Sequence, residues 1–280
     1  MVKIGAHVSA AGGVANAPLH AHEEDLEAFQ FFSRPPQSFQ CPELTETEVD
    51  KFLDNVKKYK FKNYYIHAPY LVNLASANNR IRYGSINLLK QELERGTKLK
   101  AMGVIFHVGS ASGQLSRQAG LETAISSLNK VLIDYKGKCK LMLENAAGSG
   151  NVLGCTLAEL KQLYSGIAVN KNKIGFCLDT QHAFASGYDL TNQTAITNFL
   201  QEIGKILVWK NVLAWHFNDS KMACNSKRDR HEHIGQGLIG QTGFKYLINH
   251  ASLKKADVIL ETPFIDRSAD ITLLKQLRKS

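Results

Sequence analysis

The chain is poor in the features that mark several specialised protein classes. None of its apolar runs approaches the ~20 residues that span a bilayer. Its opening residues, MVKIGAHVSAAGG, hold no basic segment followed by an apolar leader. A cytoplasmic protein without a membrane partner is therefore expected. Only five cysteines occur, Cys41, Cys139, Cys155, Cys177 and Cys224, and none forms a CxxC pair. An odd, dispersed set fits reduced, packed thiols and argues against a disulfide framework. Proline is scarce at 6 residues, and no low-complexity segment or linker divides the 280. That length admits one α/β barrel or two smaller domains.

What is present is basic. The formal net charge is +9 and the pI about 9.2, which favours a polyanionic partner. Lys and Arg are scattered rather than gathered in a tail, so any anion-binding face has to be assembled by the fold.

Apolar runs suited to buried parallel strands fall at residues 2–8, 26–32, 63–68, 103–109, 140–145, 173–180, 212–219 and 257–262. Helical patterns separate them. Thr45 and Glu48 form a capping box ahead of Val49, Phe52, Leu53 and Val56, which share one helical face, and Thr156 with Glu159 repeats the box. Eight strands alternating with helices over this length predict one (β/α)8 barrel across residues 1–280, with its chemistry at the strand ends.

Those ends are unusual. The run KIGFCLD stops at Asp179, and His182 follows three residues later, a pairing that suits neighbouring metal ions or, more blandly, a helix-capping Asp beside a core histidine. Strand three ends at His67, four at His107, five at Glu144, seven at His216 and eight at Glu261. Asp, Glu and His are about one residue in eight, so six consecutive metal-capable strand ends arise by chance on the order of once in 700. Unrelated polar residues are a poor explanation. Asp229 and His231, in the loop after strand seven, are the further candidates that His182 needs as partners.

Other signals carry less. GQGLIG at residues 235–240 matches a dinucleotide fingerprint in letters only, because it follows a polar loop rather than a strand. Those are read as loop glycines. Among the remaining histidines, His20, His22, His233 and His250 read as surface, capping or supporting residues. His7, at the first strand end, is the first suspect for a functional part.

Taken together, IGAHVSAAGG, HAPYLVNLAS from His67, ENAAGSG from Glu144, DTQHAFASGYDL from Asp179, HFNDSK from His216 and DRHEHIGQGLIG from Asp229 resemble the endonuclease IV family of apurinic/apyrimidinic endonucleases. The resemblance runs from about residue 3 to Glu261. It implies a (β/α)8 barrel with a trinuclear zinc site, incision of double-stranded DNA 5′ to an abasic site, and removal of blocked 3′ ends. The implied products of incision are a 3′ hydroxyl and a 5′ deoxyribose phosphate. One zinc is implied at His67, His107 and Glu144 and a second at Asp179, His216 and Glu261, with Glu144 bridging. The third falls to His182, Asp229 and His231. Glu144, Asp179 and Glu261 are the residues expected to matter most for catalysis. A donor set of histidine and carboxylate without cysteine suits zinc, with manganese accommodated at a position richer in oxygen.

The resemblance also implies that Tyr70 and Asn73 approach the DNA minor groove. Tyr70 and Phe39 are candidate wedges, and Arg34, Lys221, Lys227 and Arg230 candidate phosphate contacts. Two departures stand out: Gln37, Ser38 and Phe39 occupy a place where the family commonly has Arg-Gln-Trp, and Gln236 stands in place of a usual Glu. Both bear on how DNA is held rather than on the donors. A monomer that associates with the nucleoid when acting is expected. The main rival is a metal-dependent barrel isomerase or epimerase of sugars, which needs one or two ions rather than three. A lesion-binding protein without activity is the second.

Overall fold

A computed structural model describes residues 1–278. Eight parallel strands close into a barrel: β1 (Ile4–His7), β2 (Ala28–Phe32), β3 (Tyr64–His67), β4 (Gly103–Phe106), β5 (Lys140–Glu144), β6 (Ile174–Asp179), β7 (Val212–His216) and β10 (Asp257–Leu260). Every strand lies within its predicted apolar run. Neighbours in sequence are neighbours in the barrel, and β10 closes it by pairing Ile4 with Val258 and Ala6 with Leu260. The short ribbon of β8 (Asp219–Ser220) and β9 (His231–Glu232) was not legible as strand and stands outside the barrel.

The strands are short and buried on both faces, as helices packed around a parallel barrel require. The main core, between strands and helices, includes Phe29, Phe31, Phe52, Trp215, Phe217 and Phe244. A second cluster, Ala28, Tyr65, Ile105, Met142, Cys177, Ala214 and Ile259, fills the barrel interior. It plugs the barrel, so ligands are confined to its two ends.

Helix α2 (Glu46–Lys58) starts with the complete capping box at Thr45 and Glu48. The second box is only half formed. Thr156 caps α5 (Leu157–Ser165), but Glu159 turns away to Arg117 and to the amides of Gly154 and Cys155. A guanidinium and two free amides outbid the single N-cap amide. No helix among the described residues is long and apolar enough to cross a membrane.

Candidate metal centre

Six strand ends, the first turn of a helix and the loop after β7 bring nine candidate donors together around one cavity. His67, His107 and Glu144 form one group whose ligand atoms lie within 4.8 Å of one another, and Glu144, Asp179, His216 and Glu261 form a second. Asp179, His182 and His231 form a third. Asp229 joins that group from the exposed loop, 3.2 Å from His182 Nε2 and 3.3 Å from His231 Nε2. Glu144 is the hub: its Oε2 lies 3.3 Å from His67 Nε2 and 3.5 Å from His107 Nε2, and its Oε1 lies 2.8 Å from His216 Nδ1.

Asp179 caps a helix as expected, and the same carboxylate faces the histidine cluster. One oxygen accepts the His182 amide at 2.7 Å and caps α6 (Thr180–Ser186), which sets His182 one turn along on the cavity side. The other accepts from Asn218 Nδ2 at 2.6 Å and faces His216. One carboxylate thus starts a helix and serves the cavity.

The imidazoles are oriented from behind. His67 Nδ1 meets the Ala68 carbonyl at 2.7 Å, His182 Nδ1 the Asn145 carbonyl at 2.9 Å and His231 Nδ1 the Glu261 carbonyl at 3.3 Å. Donation to those carbonyls turns Nε2 of each ring inward, the orientation of metal-binding histidines. His231 Nε2 is buried yet has no well-aligned hydrogen bond, the state of a donor atom shaped for a cation.

The electrostatics agree with the geometry. Burial opposes charge on Glu144, but His107 and His216, with hydrogen bonds from His182 and His216, hold its carboxyl well below the usual range. Burial likewise opposes charge on His182, and Asp179, Asp229 and Glu144 overcome it to raise the ring well above an ordinary imidazole. The cluster favours positive charge at its centre.

The comparisons with known proteins bear on this arrangement. A family model described as a xylose isomerase-like TIM barrel matches residues 19–277. A protein of Halothermothrix orenii named probable endonuclease 4 is 36% identical over 279 residues, covering 99% of this chain and 100% of that one. One of the same name from Aquifex aeolicus is 38% identical over 267 residues, covering 94% and 92%. The chain belongs to the endonuclease IV family. The crystal structure of endonuclease IV from Thermus thermophilus is similar throughout, with a TM-score of 0.86 at 29% identity over 98% of each chain.

Around this family's barrel mouth, the other expected residues fare unequally. Tyr70 is 65% exposed at the cavity lip, its ring 5.4 Å from Phe32 and 6.0 Å from His67. Gln37, Phe39, Lys221 and Arg230 are exposed, although Phe39 leans on Gly84 of α3 (Asn79–Lys98). Arg34 does not reach the surface. It is 4% exposed and ion-paired with Glu92, because a guanidinium inside the helix layer needs a buried carboxylate. Lys227 is tied to the Ser186 carbonyl at 2.6 Å. The Asn73 side-chain oxygen accepts from the amides of Ala75 and Ser110 at 3.1 Å each, so it locks the loops after β3 and β4 together. Gly109 permits that approach, since a Cβ there would sit 2.4 Å from Asn73 Oδ1. Gln236 is exposed.

Several supporting residues escaped the sequence reading. Gln30 is fully buried and hydrogen-bonds His7, His216 and Glu261. Its signal was available: a lone amide inside the apolar strand AFQFF. Asn218 holds Asp179 by its amide and the Glu261 backbone by its oxygen. Asp219 accepts from the amides of Ser220, Gly235, Gly237, Ile239 and Gly240, so GQGLIG winds round a carboxylate of its own chain. Gly237 has to be glycine, because a Cβ would lie 2.5 Å from Asp219 Oδ1. The expected suspect His7 does line the cavity, 3.8 Å from Glu261.

Proposed function

We propose that this protein is a DNA-repair nuclease that hydrolyses the phosphodiester 5′ to an abasic site in double-stranded DNA and clears blocked 3′ ends, using three zinc ions. The convergence of His67, His107, Glu144, Asp179, His182, His216, Asp229, His231 and Glu261 on one cavity is the observation that carries it. His67, His107 and Glu144 would hold one ion, Asp179, His216, Glu261 and the shared Glu144 a second, and His182, Asp229 and His231 a third. Oxygen-rich neighbours at the second position also suit manganese. Bound zinc supplies Lewis acidity, making water nucleophilic at neutral pH and taking up charge on phosphate oxygens.

The chain's own groups do the rest. Glu144, Asp179 and Glu261 would fix the ions against the strand ends, and the carbonyls behind His67, His182 and His231 hold each ring with Nε2 turned inward. The cavity of about 290 Å³ lies at the small end of ligand clefts, which suits a sugar phosphate rather than a stacked base pair. An abasic nucleotide has no base to unstack, so turning it into such a space costs less than turning an intact one. Tyr70, at the lip, would fill the vacated stack, whereas Phe39 lines a separate groove with Arg80, Ile81 and Gly84. Phe264, 75% exposed and lining the same cavity, is a wedge the sequence did not suggest. Lys221 and Arg230, both exposed, are the cations assigned to backbone phosphates on this reading, and the net charge of +9 favours the same partner.

Three donor groups favour this reading over a sugar isomerase, which needs fewer ions. The test is a metal count paired with nicking of a duplex bearing a single abasic site. Three zinc equivalents and a strand cut 5′ to the lesion are expected. One or two equivalents with sugar isomerisation would install the rival, and binding of the abasic duplex that leaves its strands uncut in the presence of zinc would leave a lesion-binding protein.

A further inference from the structure

We propose that Gln30 is a positioning residue for the second cation subsite, its carboxamide fixing which nitrogen of His216 and which oxygen of Glu261 face the cavity. The inference rests on the reading above, in which Glu144, Asp179, His216 and Glu261 hold a divalent cation.

Gln30 lies in the middle of β2, where its strand neighbours Ala28, Phe29 and Phe31 are apolar and fully buried, and it is itself 0% exposed. A primary amide survives there only if its polar atoms are used. They are, by groups from three other strand ends. Gln30 Nε2 donates to Glu261 Oε1 at 2.7 Å and meets His7 Nδ1 at 2.9 Å, while Gln30 Oε1 lies 2.8 Å from His216 Nε2. Only one orientation of the carboxamide works, because the flipped form would set its oxygen against the Glu261 carboxylate.

That orientation dictates the rest. His216 Nε2 carries a proton and donates to Gln30, so the lone pair directed at a cation belongs to Nδ1. His216 Nδ1 lies 2.8 Å from Glu144 Oε1 and 3.3 Å from Glu261 Oε2, in the space between the two carboxylates. Glu261 is sorted by the same contact: Oε1 is engaged by Gln30 and Oε2 is left for the cavity. His67, His182 and His231 point Nε2 inward and take their orientation from backbone carbonyls. His216 presents the opposite nitrogen and takes its orientation from a side chain, which a single substitution removes. A residue that merely filled space would leave this ligand pair undisturbed when replaced by an apolar side chain of similar size.

Gln30→Met keeps the volume and removes the polar atoms. Gln30→Ala, which forces nothing into the strand, serves if the methionine variant does not fold, and thermal melts of the metal-free proteins establish which does. Metal-free wild type and variant are titrated with Co²⁺, followed by its visible absorption, and with Zn²⁺ against a chromophoric chelator. The wild type should take up three equivalents. The variant should lose about 10- to 100-fold in affinity at one of the three, with an altered cobalt spectrum for that ion and the other two unchanged, the usual scale for a group behind the ligands. Wild-type affinity and spectrum in the folded variant would overturn the proposal alone. Equal weakening of all three ions would also overturn it, since that signals a loosened barrel. A wild type that binds no cation would instead sink the metal-centre reading, and this inference with it.

Discussion

Strand β10 begins at Asp257 and Glu261 directly follows its end, so one short strand carries a buried carboxylate to one end of the barrel and a partly buried one to the other. The two are treated in opposite ways. Asp257 meets neutral donors: Tyr65 Oη at 2.6 Å and Asn63 Nδ2 at 2.7 and 3.0 Å. Burial raises its carboxyl, and hydrogen bonds from Tyr65 and Asn63 only partly offset that rise. Burial pushes Glu261 the same way, but His216 and His7 more than reverse it and hold its carboxyl low. Between them the interior plug of Tyr65, Ile105, Met142 and Ile259 keeps the two environments apart. The floor closes its hydrogen bonds and stabilises the fold, whereas the mouth aims lone pairs at a shared centre, in keeping with the division of labour of this barrel type.

Substitutions at the two ends should separate accordingly. Glu144→Ala or Glu261→Ala should cut nicking of abasic duplex by more than the ~100-fold typical of losing a group behind the ligands, while much DNA binding survives, since affinity comes mainly from phosphate contacts. Wild-type cleavage in either variant would erase the distinction at its strongest point. Asp257→Ala should do the reverse, lowering unfolding free energy by about 1–3 kcal/mol, because Tyr65 and Asn63 lose a buried acceptor. Cleavage per folded molecule should stay at the wild-type level, and denaturant melts with active-site titration measure both.

At the exposed rim, Gln37→Arg should tighten DNA binding a few-fold and steepen its salt dependence by about one counterion. An unchanged slope would show that position 37 lies off the DNA path. The smallest effect concerns pH. The folded-state pKa of Asp257 is raised, so the native state holds a proton that the unfolded chain has released, and stability falls as pH rises from the unfolded value to the folded one. Asp257→Asn has no such proton. The stability of wild type relative to Asp257→Asn should therefore decline with pH across that acidic window, and a flat difference would mean that burial does not govern this carboxyl.

Sequence reasoning read the mouth better than its supports. The eight strands and the polar residues that end them were legible because an apolar run stops abruptly where a donor begins, as at Asp179 and Glu144. Gln30 was missed for the converse reason: it interrupts an apolar run without ending it, and its partners are at least 23 positions away in sequence. Arg34 looked like a surface cation because Glu92, 58 residues on, is invisible as its partner until α3 packs against the loop after β2. The half-formed box at Thr156 has the same origin, since Arg117 reaches Glu159 only in the folded chain. Local patterns disclose what a residue can do, and distant partners decide which option it takes.

The Asp219 carboxylate, gripped by the amides of Gly235, Gly237, Ile239 and Gly240, has a consequence for how the centre fills. With the β8–β9 ribbon it ties down both feet of the loop that carries Asp229 and His231. The conformational entropy of that loop is thereby lost as the chain folds and not when an ion arrives. Zinc would enter a finished cage, and the face offered to damaged DNA would keep its contour whether the cage is loaded or bare. On the proposed function, recognition of the lesion and competence to cut it would be separable properties.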